Sequence, residues 1–299
     1  MKCFIAESIP AYLDIIEKIR AENSDIWFRG QPNAAYPLCP SLLRNARPEI
    51  KNRLTGKESR FVHFPNNLSV LDYFKENARP YIKSVPDNDL EWLFLMQHYG
   101  LPTKLMDWSE KELVALYFAL GEGSNKGKES PWGERTDVDY KTEFLEDGYT
   151  DGGCAVFAIN PVEFNGMTGN FVSQEVNRQI FHLPDFPDMM HAYVNSLEDP
   201  NSLLPLCIKA VFDDDRIKNQ GSVFTIHGFD IRPLDHMGTL ADLIYKIFIP
   251  FECHKEMYNE LKKHGITHSY IYPGLDGLCR QLKEDILERF AQIGTIYRD

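Results

Sequence analysis

Short apolar runs rich in β-branched and aromatic residues crowd the second half of the chain, at 154–159, 206–212, 222–228, 244–250 and 269–273, between Pro-, Gly- and Asp-rich turns. Runs of this length and composition read as strands. The first half carries helical periodicity instead. Tyr12, Ile15, Ile16 and Ile19 recur at helical spacing behind Ser8 and Pro10, which predicts a helix over 8–21. Two more follow around 68–83 and 88–99, the second stopped by Gly100. A doubly wound parallel sheet needs strand and helix to alternate regularly, and here they do not. The expectation is an α+β fold with helices gathered N-terminally, in a single domain spanning 1–299.

Several local features fill in this outline. "IWFRGQ", after "ENSD", predicts an early strand ending at Gly30, with Arg29 at its end. Pro32, Pro37 and Pro40 make the next stretch a loop as far as Ser41, before a short turn to Arg44. "LPTKLMDWSEKELVALYFALG" predicts a short strand, then a helix from Ser109 to Leu120 opened by a capping box of Ser109 and Glu112. Residues 121–152 lose periodicity and fill with Gly and charge, as a long exposed insertion does. The last two helices, in "FECHKEMYNELKKHG" and "GLDGLCRQLKEDILERF", flank the run at 269–273 to give a C-terminal αβα segment.

Composition narrows the function classes. Lys and Arg number 32 against 44 Asp and Glu, a net charge of −12 that repels polyanions and argues against a broad nucleic-acid-binding face. A local cluster of arginines can still hold one small anion or one strand end. No apolar run is long enough to cross a bilayer, nothing marks the N-terminus for export, and no membrane contact is expected. The 6 cysteines are scattered without CxxC pairs, which fits reduced thiols and a cytoplasmic location.

Three kinds of chemistry lose support. No metal is expected: His264 and His268 have a four-residue interval but Gly265 lies between them and a strand is predicted next, while Cys253 and His254 are adjacent and point apart. "GEGSNKGKES" fails as a phosphate loop, with Glu122 at the required glycine and Glu129 after Lys128. No Gly-x-Ser-x-Gly elbow is present.

Three polar stretches, "FRGQ", "QHYGLPTKLMDWS" and "RIKNQGSVFTIHG", interrupt apolar surroundings and hold the candidate residues. The Arg29 guanidinium suits a phosphate or a ribose hydroxyl pair, with Gly30 leaving room for the ligand; a structural pairing of Arg29 with Asp107 or Asp25 competes with that use. His98 is either a site imidazole or a charge at a helix C-terminus. Asp107 and Trp108 are a cleft wall, or Asp107 caps a helix. Arg216 and Gln220, four apart, either share a helical turn facing one pocket or form a solvated pair.

These stretches, together with "WFRGQ", "YPLCPSLLR", "LMQHYGLPTKLMDWSEKELVALYFAL" and "IYPGLDGL", resemble the FRG domain in the same order over most of the chain. Lys104 stands where that family more often has arginine, and Gly274 where aspartate is commoner. FRG domains in turn resemble the ADP-ribosyltransferases. The resemblance implies an ADP-ribosyltransferase-like split β-sheet core, NAD bound in a cleft as co-substrate, and transfer of ADP-ribose to an intracellular macromolecule, protein or nucleic acid. It also implies a bacterial toxin or phage-defence role, with a regulatory or neutralising protein as a further partner.

Carried over by position, the resemblance gives Arg29 and Gly30 on the early strand, Asp107, Trp108 and Ser109 on the second stretch, and Gln220 and Gly221 on the third. Together with the residues read above, NAD binding is expected of Arg29, Gly30, Gln31 and Arg216, and the chemistry of Arg29, His98, Asp107, Ser109 and Gln220. The best-studied transferases have Glu where this chain has Gln220, and a neutral amide stabilises an oxocarbenium-like sugar less than a carboxylate does. Asp107 or Glu175 then serves, or Gln220 acts by positioning alone, or the domain is a non-catalytic module that binds a nucleotide or a nucleic-acid end. A nuclease using Arg29, His98 and Lys104 is the third reading.

Overall fold

The computed structural model describes residues 1–44, 47–48, 62–63, 66–121, 135, 138–168, 179–195, 204–209 and 215–291. β1 (Lys2–Ile5) leads into α1 (Ile9–Glu22), where the Ser8 hydroxyl accepts a hydrogen bond from the Ala11 amide at 3.3 Å and Pro10 sits in the first turn. β2 (Trp27–Gln31), the short ladder of β3 (Arg47–Pro48) and β4 (Val62–His63), α2 (Asn67–Ala78), α3 (Asp89–His98), β5 (Leu105–Ser109) and α4 (Glu112–Leu120) follow. Next come α5 (Tyr140–Asp147), β6 (Gly153–Ile159), α6 (Pro161–Thr168), α7 (Pro187–Met190), β7 (Leu206–Lys209), α8 (Asp215–Gln220) and β8 (Ser222–Ile226). The chain closes with α9 (Gly238–Ala241), β9 (Tyr245–Pro250), α10 (His254–Lys263), α11 (His268–Ile271) and α12 (Leu275–Ala291). Among the described residues, no helix is long and apolar enough to cross a membrane.

The fold is α+β, built on a seven-stranded sheet of order β1-β9-β6-β2-β5-β8-β7. β1 runs parallel to β9 and every other pair is antiparallel. β6 and β9 are buried on both faces, which is why they read as continuous apolar runs rather than alternating ones. One face of the β1-to-β2 half is covered by α1, α4 and α10 through Ile16, Leu116 and Leu261. The opposite face packs on Phe144 of α5, Phe164 of α6 and Leu240 of α9. The other half, β5, β8 and β7, packs on α2 and α3 through Leu71, Leu90 and Phe94.

The ladder between the two halves is short. β2 pairs with β6 from Trp27 to Gln31, but with β5 at one position, Phe28 opposite Ser109. Extending that register would set Gly30 opposite Asp107; instead the strands part. α4 fills the space on one side of this junction. A Cβ built on Gly30 would lie 2.0 Å from the Ala115 carbonyl oxygen and 2.5 Å from the Ala119 amide nitrogen, so α4 reaches the strand backbone to backbone. Gly30 is therefore required by helix packing, in place of the expected clearance for a ligand.

Several expectations are corrected. The early strand runs on to Gln31, so Arg29 is central in it. Ser109 ends β5, and α4 begins at Glu112 after Lys111 with no side-chain cap, so the capping box does not form. Lys2–Ile5, for which no element was expected, is an edge strand. The run at 269–273 is helical as far as Ile271: Thr267 accepts a hydrogen bond from the Tyr270 amide and starts α11, burying Ile271, so the C-terminal segment is α10, α11 and α12 without a strand among the described residues. Helices are not gathered N-terminally, since α6 to α12 lie in the second half and β1, β2 and β5 in the first.

The insertion at 121–152 is in part structural. α5 is capped by Asp139, Phe144 is fully buried, and Arg135 bridges Glu143 and Asp151. Residues 122–134 and 136–137 of that expectation lie outside the described residues, as does 210–212 of the expected strand.

Gly30→Ala sets a methyl group against two backbone atoms that have no rotamer by which to move away. It is expected to lower the unfolding free energy by about 3 kcal/mol, at the upper end for overpacking, or to leave the chain unfolded; urea denaturation reads the difference.

Candidate functional site

A cleft of about 1220 Å³ opens where β2 and β5 part. That exceeds the roughly 300–1,000 Å³ usual for small-molecule sites. α3 and α4 supply facing walls through Phe94, His98 and Phe118, the loop after β2 supplies Tyr36 and Pro37, and α8 supplies Arg216. Arg29, Gly30, Gln31, His98, Asp107, Ser109, Arg216 and Gln220 were each expected at the site, and all of them line this one cleft.

Arg29 reaches across the gap. Its Nη1 donates to the Asp107 carbonyl oxygen at 2.5 Å and stands 4.0 Å from the Asp107 carboxylate. The guanidinium thus occupies a backbone acceptor that an unbroken ladder would have engaged. Burial pushes the guanidinium down to about 10, a shift the Asp107 carboxylate opposes and Arg44 adds to, so it stays charged at neutral pH. Its Nε is buried and has no hydrogen-bond partner among the described residues.

The remaining positions are held in different ways. The Ser109 hydroxyl donates to the Gln220 carbonyl at 2.6 Å and accepts from the Lys111 amide at 2.9 Å, joining the end of β5 to the end of α8. The Gln220 side-chain amide donates to the Ile271 carbonyl at 3.1 Å. Gln31 donates to the Pro37 carbonyl at 3.3 Å. Arg216 lies over the Tyr272 ring at 5.1 Å, and one turn on from it Gln220 faces the same cleft. His98 meets Tyr99 edge to face at 5.2 Å. Glu175 lies outside the described residues.

Gln97 escaped the sequence reading. It donates to the Asp107 carboxylate at 2.9 Å and accepts from the Thr103 hydroxyl at 2.5 Å. Its signal was its place: a neutral amide one residue before His98, in a helix whose earlier positions are almost all apolar. Arg44 and Tyr272 also line the cleft, and Arg44 donates to the Cys39 carbonyl at 3.1 Å.

Behind the cleft wall lies a buried cation. Lys246 on β9 donates to the carbonyls of Ala34 and Gly148, both at 2.7 Å, and its ammonium stands 3.9 Å from the centre of the Tyr149 ring. Burial pushes it down to about 7. Tyr149 and the Leu38 amide both donate to Asp235, so the loop carrying Pro37 and Cys39 is fastened at two points.

Lys104 is buried, and its carbonyl accepts from the His227 amide at 3.0 Å, which extends the β5–β8 ladder by one pair. This removes it from the phosphate-handling set of the nuclease reading. Its Nζ and the Nδ1 of His227 have no hydrogen-bond partner among the described residues. His264 sits 4.0 Å from Glu260, whereas His268 is buried against the Tyr117 hydroxyl at 3.0 Å. Among the described residues no group of three or more His, Cys, Asp or Glu is gathered as a metal site.

The segment that shapes this cleft, from β2 through α4, is also the part that compares with known proteins. Residues 24–128 match the FRG domain. The matched segment includes Arg29, Gln97, His98, Asp107 and Ser109, while Arg216, Gln220 and the "IYPGLDGL" tail lie beyond it. No curated protein matches the chain, and neither does any solved structure. The FRG match therefore covers both strands of the parted junction and the helix packed on Gly30.

Burial pushes the His227 imidazole from 6.5 down to about 4. Between those values the unfolded chain binds the proton and the fold does not. Stability contributed by neutral His227 is therefore present above pH 6.5 and lost as pH falls towards 4, at up to about 1.4 kcal/mol per pH unit. His227→Gln is expected to flatten that limb of a stability–pH curve measured by urea denaturation.

Proposed function

We propose that the cleft binds NAD as co-substrate and that the protein transfers ADP-ribose from it to an intracellular macromolecule, as a toxin or defence effector does. The observation that carries this reading is Arg29: a charged guanidinium set in the parted sheet with its Nε buried and unpaired. The rest of the side chain lines the cleft and is 15% exposed, so a ligand oxygen can meet the outer edge of the guanidinium. Arg44 and Arg216 add positive charge in a chain whose net charge is −12, and Tyr36, Phe118 and Tyr272 offer ring faces for heterocycles. Two arginine forks suit a pyrophosphate, and the volume suits a dinucleotide. The weak β2–β5 junction and the FRG match agree with the split core that the resemblance implies.

A second reading, a non-catalytic module that binds a nucleotide or a nucleic-acid end, is favoured by the bonding of Ser109 and Gln220. Both of these transferase-like positions make hydrogen bonds to backbone carbonyls. The same experiment separates the two. The purified protein is incubated with NAD labelled in the adenylate, plus cell extract, and nicotinamide release and label transfer are followed. Arg29→Gln is expected to lower transfer about 10²-fold, the scale for losing one preorganised electrostatic donor, with thermal melting confirming the fold. Tight NAD binding without product over long incubation favours the binding module. Turnover that survives Arg29→Gln in a folded protein overturns the assignment of Arg29.

A further inference from the structure

If the NAD-using reading holds, a negative group must face the sugar as its bond to nicotinamide loosens. Gln220 carries no charge, and its amide already donates to the Ile271 carbonyl at 3.1 Å. We propose that Asp107 supplies this group and that Gln97 is its positioning residue, an inference that rests on the transferase reading above.

The case is geometric. Along β5 the pattern is buried, buried, exposed, buried, buried, and the exposed residue is Asp107. It lines the cleft from the middle of a rigid strand and lies within 4.0 Å of Arg29. Oδ2 accepts the Gln97 amide at 2.9 Å, while no hydrogen bond to Oδ1 is seen among the described residues. One oxygen is held, and the side chain lines the cleft with 57% of its surface exposed.

The orientation of Gln97 is set by its neighbours. The Thr103 hydroxyl accepts from the Leu105 amide at 3.1 Å and so turns its own proton to Gln97 Oε1 at 2.5 Å. That fixes the amide nitrogen towards Asp107. A flipped amide would set its oxygen against the carboxylate and its nitrogen against a hydroxyl already accepting a bond. The order Leu105 amide, Thr103, Gln97, Asp107 thus spans the turn between α3 and β5, and aims a carboxylate that would otherwise rotate freely.

The step balances without another reagent. The C1′–N bond of the nicotinamide ribose breaks, and both electrons leave with the nicotinamide nitrogen. Positive charge develops on the ribose facing Asp107 Oδ1 while Arg29 holds the phosphate side. A lone pair of the acceptor's oxygen or nitrogen forms the new bond to C1′, and the acceptor's proton passes to Asp107 Oδ1 and then to water. Arg29 and Asp107, 4.0 Å apart, thereby present opposite charges to adjacent parts of one substrate, the phosphate and the ribose.

The test uses the full chain with NAD and the extract acceptor, measuring kcat and KM from nicotinamide release, with NAD affinity measured separately. Asp107→Asn is expected to lower kcat about 10²–10³-fold with NAD affinity within threefold of the parent. Gln97→Leu is expected to lower kcat roughly tenfold, the scale for losing a partner that orients a reacting group, again with little change in KM. Gln97→Glu keeps the size and an acceptor for Thr103 but sets like charges together, and is expected to lower kcat at least as far. Melting temperatures identify any variant that fails to fold, and the remaining variants then decide. A parent protein that turns over NAD, with folded Asp107→Asn equally active, overturns this inference and leaves the transferase reading standing. A fall in NAD affinity equal to the fall in rate for Gln97→Leu overturns its positioning role. A parent protein that releases no nicotinamide overturns the transferase reading and this step with it.

Discussion

The structure depends on how a seven-stranded sheet is held together at a place where its ladder fails. β2 and β5 meet at Phe28 and Ser109 and then part. A parted sheet exposes backbone donors and acceptors that need partners. Arg29 takes the Asp107 carbonyl with its side chain, and α4 closes one side by pressing its backbone onto Gly30. The cleft is the space these two devices leave. The arginine and the glycine of "FRG" therefore have separate physical tasks: one bridges the opening, the other lets a helix seal it.

This division separates what the sequence could tell from what it could not. The motif residues were legible as a set, because polar residues in apolar surroundings need a reason, and all eight line one cleft. Their individual bonding was not legible. Ser109 read as a helix cap because Glu112 follows at the right interval, yet strand pairing with Ser222 holds it in β5 and its hydroxyl serves the chain ends there. Gln97 was invisible because its partners, Thr103 and Asp107, come together only when the turn after α3 folds back.

The same limits apply to the fold. α1 was readable to within a residue from its cap and spacing, since both signals are local. The run at 269–273 was not: "SYIYP" has a strand's composition, and only its place after the Gly265 turn, with Thr267 available as a cap and Ile271 drawn into the core, makes it helical. β1 was missed because it is an edge strand of four residues whose only pairing among the described residues is to β9, some 240 residues away. Nothing in the run at 244–250 marks what Lys246 bonds, because its partners are carbonyls from two distant loops.

Lys246 also ties together parts of the molecule that are far apart in sequence. One ammonium grips the carbonyl at the end of α5 and the carbonyl at Ala34, where the loop towards Pro37 and Cys39 sets out along the cleft. Neither carbonyl can retreat without leaving a cation half solvated in an apolar interior. The helix within the insertion and the wall of the cleft are therefore geared to a common axle: a force that turns one is transmitted to the other.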